Sequence, residues 1–380
     1  MRVTFYDPRR EYLELKEEID RAIRDVLESG VYTAGRHVEG FEEELAAFFG
    51  TSFACVVGVG SGTAALELAF VAAGIGAGDE VVTVPNTDIS TTAAISRCGA
   101  RVVFADIHSE TLVLDPVEVE AKVTSRTKAI VPVHLFGQLV DMDAIQAIAR
   151  SRNLLVIEDA ALALGGDYRG KMAGTMGDAG CFSMNSRKIL SAFGDAGVVV
   201  TRRGDMATTI RSLRDYGKKR SARRASMLEA VEFVFEGFNA RLDEIQAAVL
   251  RVKLATIGER LMRRRTIAAR YDAAFESLPL KVPPSSSDCR HAYRAYTIRL
   301  GSREDRDGLA NNLSDRSIDT AIYYAPPLHL QPAYRYLGHR PGDFPVAEKA
   351  AETMLSIPIH PTLSDDQVAY VIEAVEDWFH

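Results

Sequence analysis

Only four cysteines occur in 380 residues, and Cys55, Cys98, Cys181 and Cys289 lie far apart, with no Cys-x-x-Cys pair and no histidine at ligand spacing. Such a distribution supports neither a zinc site nor a disulfide framework, so the four read as reduced core thiols and no metal is expected. No apolar run reaches the length needed to span a bilayer, so no membrane partner is expected. Residues 1–8 have no apolar stretch behind a basic start, and the expected location is the cytoplasm. Positive charge is not in excess either: 45 lysines and arginines against 52 acids leave a formal net charge of -7. That excludes the basic footprint of a nucleic-acid binder. Internal repeats and low-complexity tracts are also missing.

The composition that remains, 47% hydrophobic and 26% charged, is that of a globular chain with room for a large core and two domains. Apolar residues recur every three or four positions from about 10 to 50, the spacing of amphipathic helices. Short apolar runs at 55–59, 80–84, 101–105, 129–134, 154–158, 181–183 and 198–201 then alternate with helical patterns. Strands separated by helices of that length predict a mainly parallel sheet covered on both faces. One long helix is expected from Leu242 to about Phe275. After the Pro-Pro-Ser-Ser-Ser run at 283–287 come an alternating stretch at 293–300, a helix near 303–313, a short strand at 320–324 and a terminal helix at 365–379. The expected fold is therefore α/β. A large domain, 1–250, has a mainly parallel sheet sandwiched by helices, and a smaller C-terminal α/β domain, 251–380, includes the connecting helix.

The strand at 154–158 runs into two carboxylates, Glu158 and Asp159, at the sheet edge where open α/β folds hold their ligands. A carboxylate there is costly without a cationic partner, although a helix cap is the plain alternative. About thirty residues on, Lys188 follows another strand in a loop closed by Gly194, Asp195, Ala196 and Gly197. A lysine alone is an ordinary surface residue. Paired with a strand-end Asp, it matches what pyridoxal phosphate needs: an amine to carry it and an acid for its ring nitrogen. A third element, Gly58, Gly60 and Gly62, leads from a strand into a helix whose first amides suit a phosphate. The spacing is not Gly-x-Gly-x-x-Gly and no acid ends a strand about twenty residues later, which argues against a dinucleotide site.

Seven segments in order, Ser61-Gly62-Thr63-Ala64-Ala65-Leu66, Val133-His134-Leu135-Phe136-Gly137-Gln138, Glu158-Asp159-Ala160-Ala161, Phe182-Ser183 with Lys188, Gly194-Asp195-Ala196-Gly197, Gly237-Phe238-Asn239-Ala240-Arg241-Leu242-Asp243-Glu244-Ile245-Gln246-Ala247-Ala248 and Pro327-Leu328-His329-Leu330-Gln331-Pro332-Ala333-Tyr334, resemble the DegT/DnrJ/StrS sugar aminotransferases of fold type I. The resemblance spans nearly the whole chain. It implies pyridoxal 5'-phosphate as cofactor, passing through its pyridoxamine 5'-phosphate form, with Lys188 carrying it and Asp159 against the ring nitrogen. Gly62, Thr63 and Ser183 are implied around the phosphate, and Asn239 reaches it from the other subunit of a homodimer with shared active sites. Tyr324 and His329 fall in a motif resembling the substrate-side wall, though a capped turn with a buried histidine reads equally well for the latter.

Two positions depart from the family. Leu162 stands where a glutamine is usual, which removes a donor to the cofactor's phenolic oxygen. Asp88 falls where a ring-stacking aromatic is usual, leaving it only as a pocket residue. The activity implied is transfer of an amino group from glutamate or glutamine to a nucleotide-linked ketosugar, in deoxyaminosugar and antibiotic biosynthesis. Relatives that dehydrate carry histidine in place of the lysine, so Lys188 favours transamination. The alternatives are a cyclitol ketone of inosose type as acceptor, or an idle cofactor-binding relative with a regulatory role.

Overall fold

The computed structural model describes residues 1–52, 55–219, 231–284 and 286–380. Ser285 of the expected linker thus lies outside the described residues. The chain opens with α1 (Pro8–Glu14), capped by Asp7 and with proline in its first turn, where a missing N–H costs nothing. Helices α2 (Lys16–Ser29) and α3 (Arg36–Phe48) follow and pack against a later helix, α9 (Glu244–Leu254).

Between these helices lies an alternation of strand and helix: β1 (Val56–Val59), α4 (Gly62–Ala72), β2 (Glu80–Thr83), α5 (Ile89–Arg97), β3 (Arg101–Phe104), α6 (Pro116–Lys122), β4 (Thr127–Ile130), α7 (Met142–Arg152) and β5 (Leu155–Asp159). Two short strands, β6 (Asp167–Tyr168) and β7 (Lys171–Met172), form a side sheet with β10 (Cys289–Arg290). The main chain direction resumes with β8 (Ala179–Ser183), β9 (Gly197–Val200) and α8 (Gly204–Leu213). The central seven-stranded sheet has the order β1-β9-β8-β5-β4-β2-β3. Every neighbouring pair from β8 to β3 is parallel, and only β9 runs against its neighbours β1 and β8. The central strands are apolar on both faces because helices cover both, as the uninterrupted runs of the sequence require.

Each expected run holds one of these strands, with one displacement. The strand expected at 129–134 is Thr127–Ile130, because Pro132 has no N–H to continue the ladder. The track nonetheless goes on past it: Asp159 N donates to Pro132 O at 2.9 Å and His134 N to Asp159 O at 3.0 Å. Those two bonds fix the end of β5.

The long helix expected from Leu242 is two helices, α9 and α10 (Ile257–Phe275), broken at Ala255 and Thr256. The break lets α9 lie on α2 and α3 while α10 turns toward a second apolar cluster. That cluster joins Ile267, Tyr271 and Phe275 to β11 (Tyr296–Arg299), α11 (Arg303–Asp315), β12 (Met354–Ile357) and the capping-box helix α13 (Asp365–Phe379), with α12 (Pro345–Thr353) leading into β12. Val3 also belongs to it. The strand expected at 320–324 reduces to a single bridge between Ala321 and Ser356 before the chain turns away toward the cleft. Among the described residues, no helix is long and apolar enough to cross a membrane.

Candidate active site

At the carboxyl ends of β5 and β8 the sheet opens into a cleft of about 340 Å³. Its walls come from the start of α4 (Ser61, Gly62, Thr63), the loop before α5 (Thr87, Asp88), the end of β5 (Asp159, Leu162) and the loop after β8 (Ser183, Asn185, Lys188). Phe136, Arg294, Tyr323 and Tyr324 complete it.

Asp159 is the last residue of β5 and is 5% exposed. Its Oδ2 accepts the Thr91 hydroxyl at 2.7 Å and its Oδ1 the Ala161 amide at 3.1 Å. Burial pushes this carboxyl above the usual range, while those two donors and the charge of Lys188 pull it down. A carboxylate sealed at this depth calls for a cationic partner.

Lys188 sits in a loop that closes on itself: Met184 N bonds Ala196 O at 2.7 Å, Ser186 N bonds Gly194 O at 3.0 Å and Lys188 N bonds Asn185 O at 2.8 Å. Burial first, and then the positive charge of Arg294, hold its amine down to about 8, against the opposing pull of Asp159 and Asp88. An amine so tuned titrates close to working pH, as a proton carrier must.

Helix α4 begins under the hydroxyl of Ser61, which accepts from Ala64 N at 3.1 Å. Gly62 and Thr63, which precede the first bond of the helix from Ala65 N to Ser61 O, line the cleft, an arrangement that suits a phosphate. Gly62 packs so closely on β8 that a Cβ there would lie 2.5 Å from Ser183 Cβ. A buried amine, a sealed carboxylate and a helix start in one cleft fit the demands of pyridoxal phosphate: attachment, a charge for the ring nitrogen, and an anion cradle.

Of the sequence-derived candidates, Lys188, Asp159, Gly62, Thr63, Ser183, Asp88 and Tyr324 all line this cleft. Asp88 caps α5 and accepts from Ser90 N at 2.9 Å and Ser90 Oγ at 2.6 Å. Leu162 also lines it, so its missing amide is missing from the cleft itself. His329 does not reach it: the ring is 2% exposed, bonded through Nε2 to Glu348 at 3.0 Å and packed edge-on against Phe344. The histidine is buried, in a short turn without a side-chain cap. Asn239 is also outside its own chain's cleft, where its side chain accepts from Arg241 at 3.2 Å.

Glu158, the other strand-end acid, points away from the cleft into a structural knot. It is fully buried and accepts His134 Nε2 at 2.9 Å and the amides of Gly174 and Met176 at 2.7 Å each and of Gly177 at 2.5 Å. The Val140 amide meets His134 Nδ1 at 3.2 Å, which leaves the proton on Nε2 for Glu158. Sequence reasoning missed Thr91 and Arg294. Thr91 lies one turn beyond Thr87, whose hydroxyl it meets at 3.0 Å, a spacing readable in the sequence. Arg294 lies in a stretch whose alternation marks only a strand.

The DegT/DnrJ/EryC1/StrS aminotransferase family model matches residues 13–376. The chain is 41% identical over 378 residues to the dTDP-3-amino-3,4,6-trideoxy-alpha-D-glucose transaminase of Streptomyces venezuelae, covering 99% of this chain and 96% of that protein. It is 40% identical over 382 residues to a protein of Geobacillus stearothermophilus named pleiotropic regulatory protein, covering 100% and 99% of the two. Its fold superposes with a TM-score of 0.92 on DesV of S. venezuelae in complex with a ketimine intermediate, at 41% identity, covering 100% of this chain and 99% of that one. With a match to the family model from residue 13 to residue 376, a fold type I architecture and a cleft fitted to pyridoxal phosphate, this chain belongs to the DegT/DnrJ/EryC1/StrS family and is an aminotransferase dependent on that cofactor.

Proposed function

We propose that this enzyme takes an amino group from glutamate or glutamine and delivers it to a nucleotide-linked ketosugar. The observation that carries the chemistry is Lys188, held down to about 8 in the same cleft as the sealed carboxylate of Asp159. Support for the acceptor comes from relatives such as the S. venezuelae dTDP-aminosugar transaminase.

When bound, the cofactor supplies an aldehyde to accept the amine and an electron-withdrawing ring. Lys188 would carry it and, once released from it, act as the base that takes the α-proton of the amino acid and returns a proton on the other side of the transfer. Asp159 would keep a positive charge on the ring nitrogen, with the donors from Thr91 and Ala161 favouring its ionised form against burial. The amides at the start of α4, with Thr63 and Ser183, would hold the phosphate. Leu162 leaves the ring's oxygen without the usual amide donor.

The enzyme would work as a cytoplasmic homodimer, with Asn239 of each subunit completing its partner's phosphate site. Two features favour this arrangement: Asn239 lies outside its own cleft, and the nearby Phe233, Val234 and Phe235 are 58%, 45% and 45% exposed. Apolar residues so open to solvent are what a subunit contact covers.

The test is to add L-glutamate alone to the cofactor-loaded protein and follow its visible absorbance. Loss of the band on addition, and its return with a dTDP-linked ketosugar together with an aminosugar detected by mass, is the expected outcome. A band untouched by any amino acid would overturn the proposal in favour of an idle, regulatory role, the reading suggested by the name of the G. stearothermophilus relative.

A further inference from the structure

The cleft contains a cation that carries neither the cofactor nor the transferred proton. Arg294 lines it yet is only 6% exposed. Its guanidinium lies over the ring of Tyr6, 4.6 Å from the centroid, and Nη2 donates to the Tyr6 hydroxyl. Burial pushes that phenol up to about 12, so it stays neutral and does not balance the charge. Among the described residues Nε has no hydrogen-bond partner. Among the described residues Arg294 makes no ion pair, and its positive charge instead presses on Lys188 in the same cleft. A guanidinium cannot shed its proton, and holding it out of water without a counter-charge is costly. A cation so placed is built for an anion that arrives with the substrate.

The chain holds Arg294 firmly. Its amide donates to Phe136 O at 2.9 Å, and Ala292 N donates to Gly137 O at 2.9 Å. Gly137 has φ +101, and a Cβ there would lie 2.8 Å from Tyr293 N, so only glycine lets the 134–138 turn press against the segment carrying the arginine. The turn seen in the sequence as His134-Leu135-Phe136-Gly137-Gln138 thus anchors two things, the end of β5 through His134 and the arginine through Phe136 and Gly137.

We infer that Arg294 binds the α-carboxylate of the amino-acid donor. This rests on the transaminase reading. An amino acid carries its carboxylate one bond from the carbon whose proton Lys188 takes, so the anion must sit in the same cleft as that amine. A nucleotide-linked ketosugar carries its anion on the diphosphate, separated from the reacting carbon by the anomeric carbon and its oxygen. The planar guanidinium fork matches a carboxylate in two hydrogen bonds, which a lysine in this position would not. The residue therefore reads the carboxylate of the donor.

The experiment uses the cofactor-loaded enzyme and α-methyl-L-glutamate, which has the carboxylate but no α-proton to lose, with its α-carboxamide as the matched neutral ligand. Both are titrated by calorimetry. Wild-type enzyme is expected to favour the acid by about 100-fold, and Arg294→Gln to abolish that preference while binding the amide as before. Arg294→Lys recovers part of it. Acid and amide bound equally by the wild type, or an equal loss of both in Arg294→Gln, would overturn the inference, and the wild-type comparison holds even if a variant fails to fold. A wild type that binds the acid tightly yet never converts L-glutamate would sink the transaminase reading instead, a distinct result.

Discussion

The hydroxyl of Thr91, in the first turn of α5, donates to Asp159 Oδ2 at 2.7 Å across a sequence separation of 68 residues. It is the side-chain donor that favours the ionised form of an acid whose burial favours the neutral one. Thr91→Val keeps the shape and removes the donor. The carboxyl then rises further and is less often charged when a ring nitrogen must face it. Cofactor affinity is expected to fall by about tenfold, measured by equilibrium dialysis, with little change in the folded structure. Unchanged affinity would show that Asp159 does not depend on that hydroxyl.

Lys188 gives a pH signature in the cofactor-free protein. Its folded pKa, about 8, lies below the ordinary lysine value of 10.5, so between those values the unfolded chain binds more protons than the folded one. The stability deficit is therefore present in full below about 8 and is relieved as pH climbs toward 10.5. Urea titrations of wild type and Lys188→Met should show the variant more stable at neutral pH. Their difference should shrink by roughly 1.4 kcal/mol per pH unit through that window. A constant difference would mean that the amine is not desolvated.

Much of this was legible beforehand, and the parts that were not have physical causes. The seven central strands are nearly continuous apolar runs, and strands buried on both faces must be. Lys188 and Asp159 are legible only as a pair: alone, one reads as a surface lysine and the other as a helix cap, while together they match the two demands of pyridoxal phosphate. The break at Ala255 and Thr256 carries no glycine or proline, and it arises from two helices packing on different cores, a tertiary cause. His329 could be read as cleft or core because a buried histidine looks the same in either place until Glu348, 19 residues on, is seen to meet it. Arg294 was invisible because nothing local marks an arginine as buried.

Glu158 offers a stability test separate from catalysis. Its carboxylate accepts four hydrogen bonds, from His134 and from the amides of Gly174, Met176 and Gly177. Glu158→Gln sets a donor against donors inside a fully buried site. A loss of about 3 kcal/mol is expected in urea unfolding, with the visible absorbance of the loaded enzyme unchanged at low temperature because Glu158 does not line the cleft. Lost absorbance without lost stability would place it in the site after all.

The closest fit in the cleft is at Gly62, and it sets the sharpest separation between binding and folding. Its Cα sits at the first turn of α4 with Ser183 of β8 directly against it, where a Cβ would come within 2.5 Å of Ser183 Cβ and 3.0 Å of Ser183 Cα. The strand cannot relax far, since β8 is paired on both sides, to β5 and β9. Gly62→Ala must therefore push the start of α4 away from the strand. In the middle of a helix the same exchange would be favourable. Here the displaced amides no longer converge on one anion. Affinity for pyridoxal phosphate should drop by more than about 100-fold in a dialysis measurement, while thermal unfolding of the cofactor-free protein moves by only a few degrees. If both fall together, Gly62 is a packing residue first. If neither does, the phosphate is not held at the start of α4.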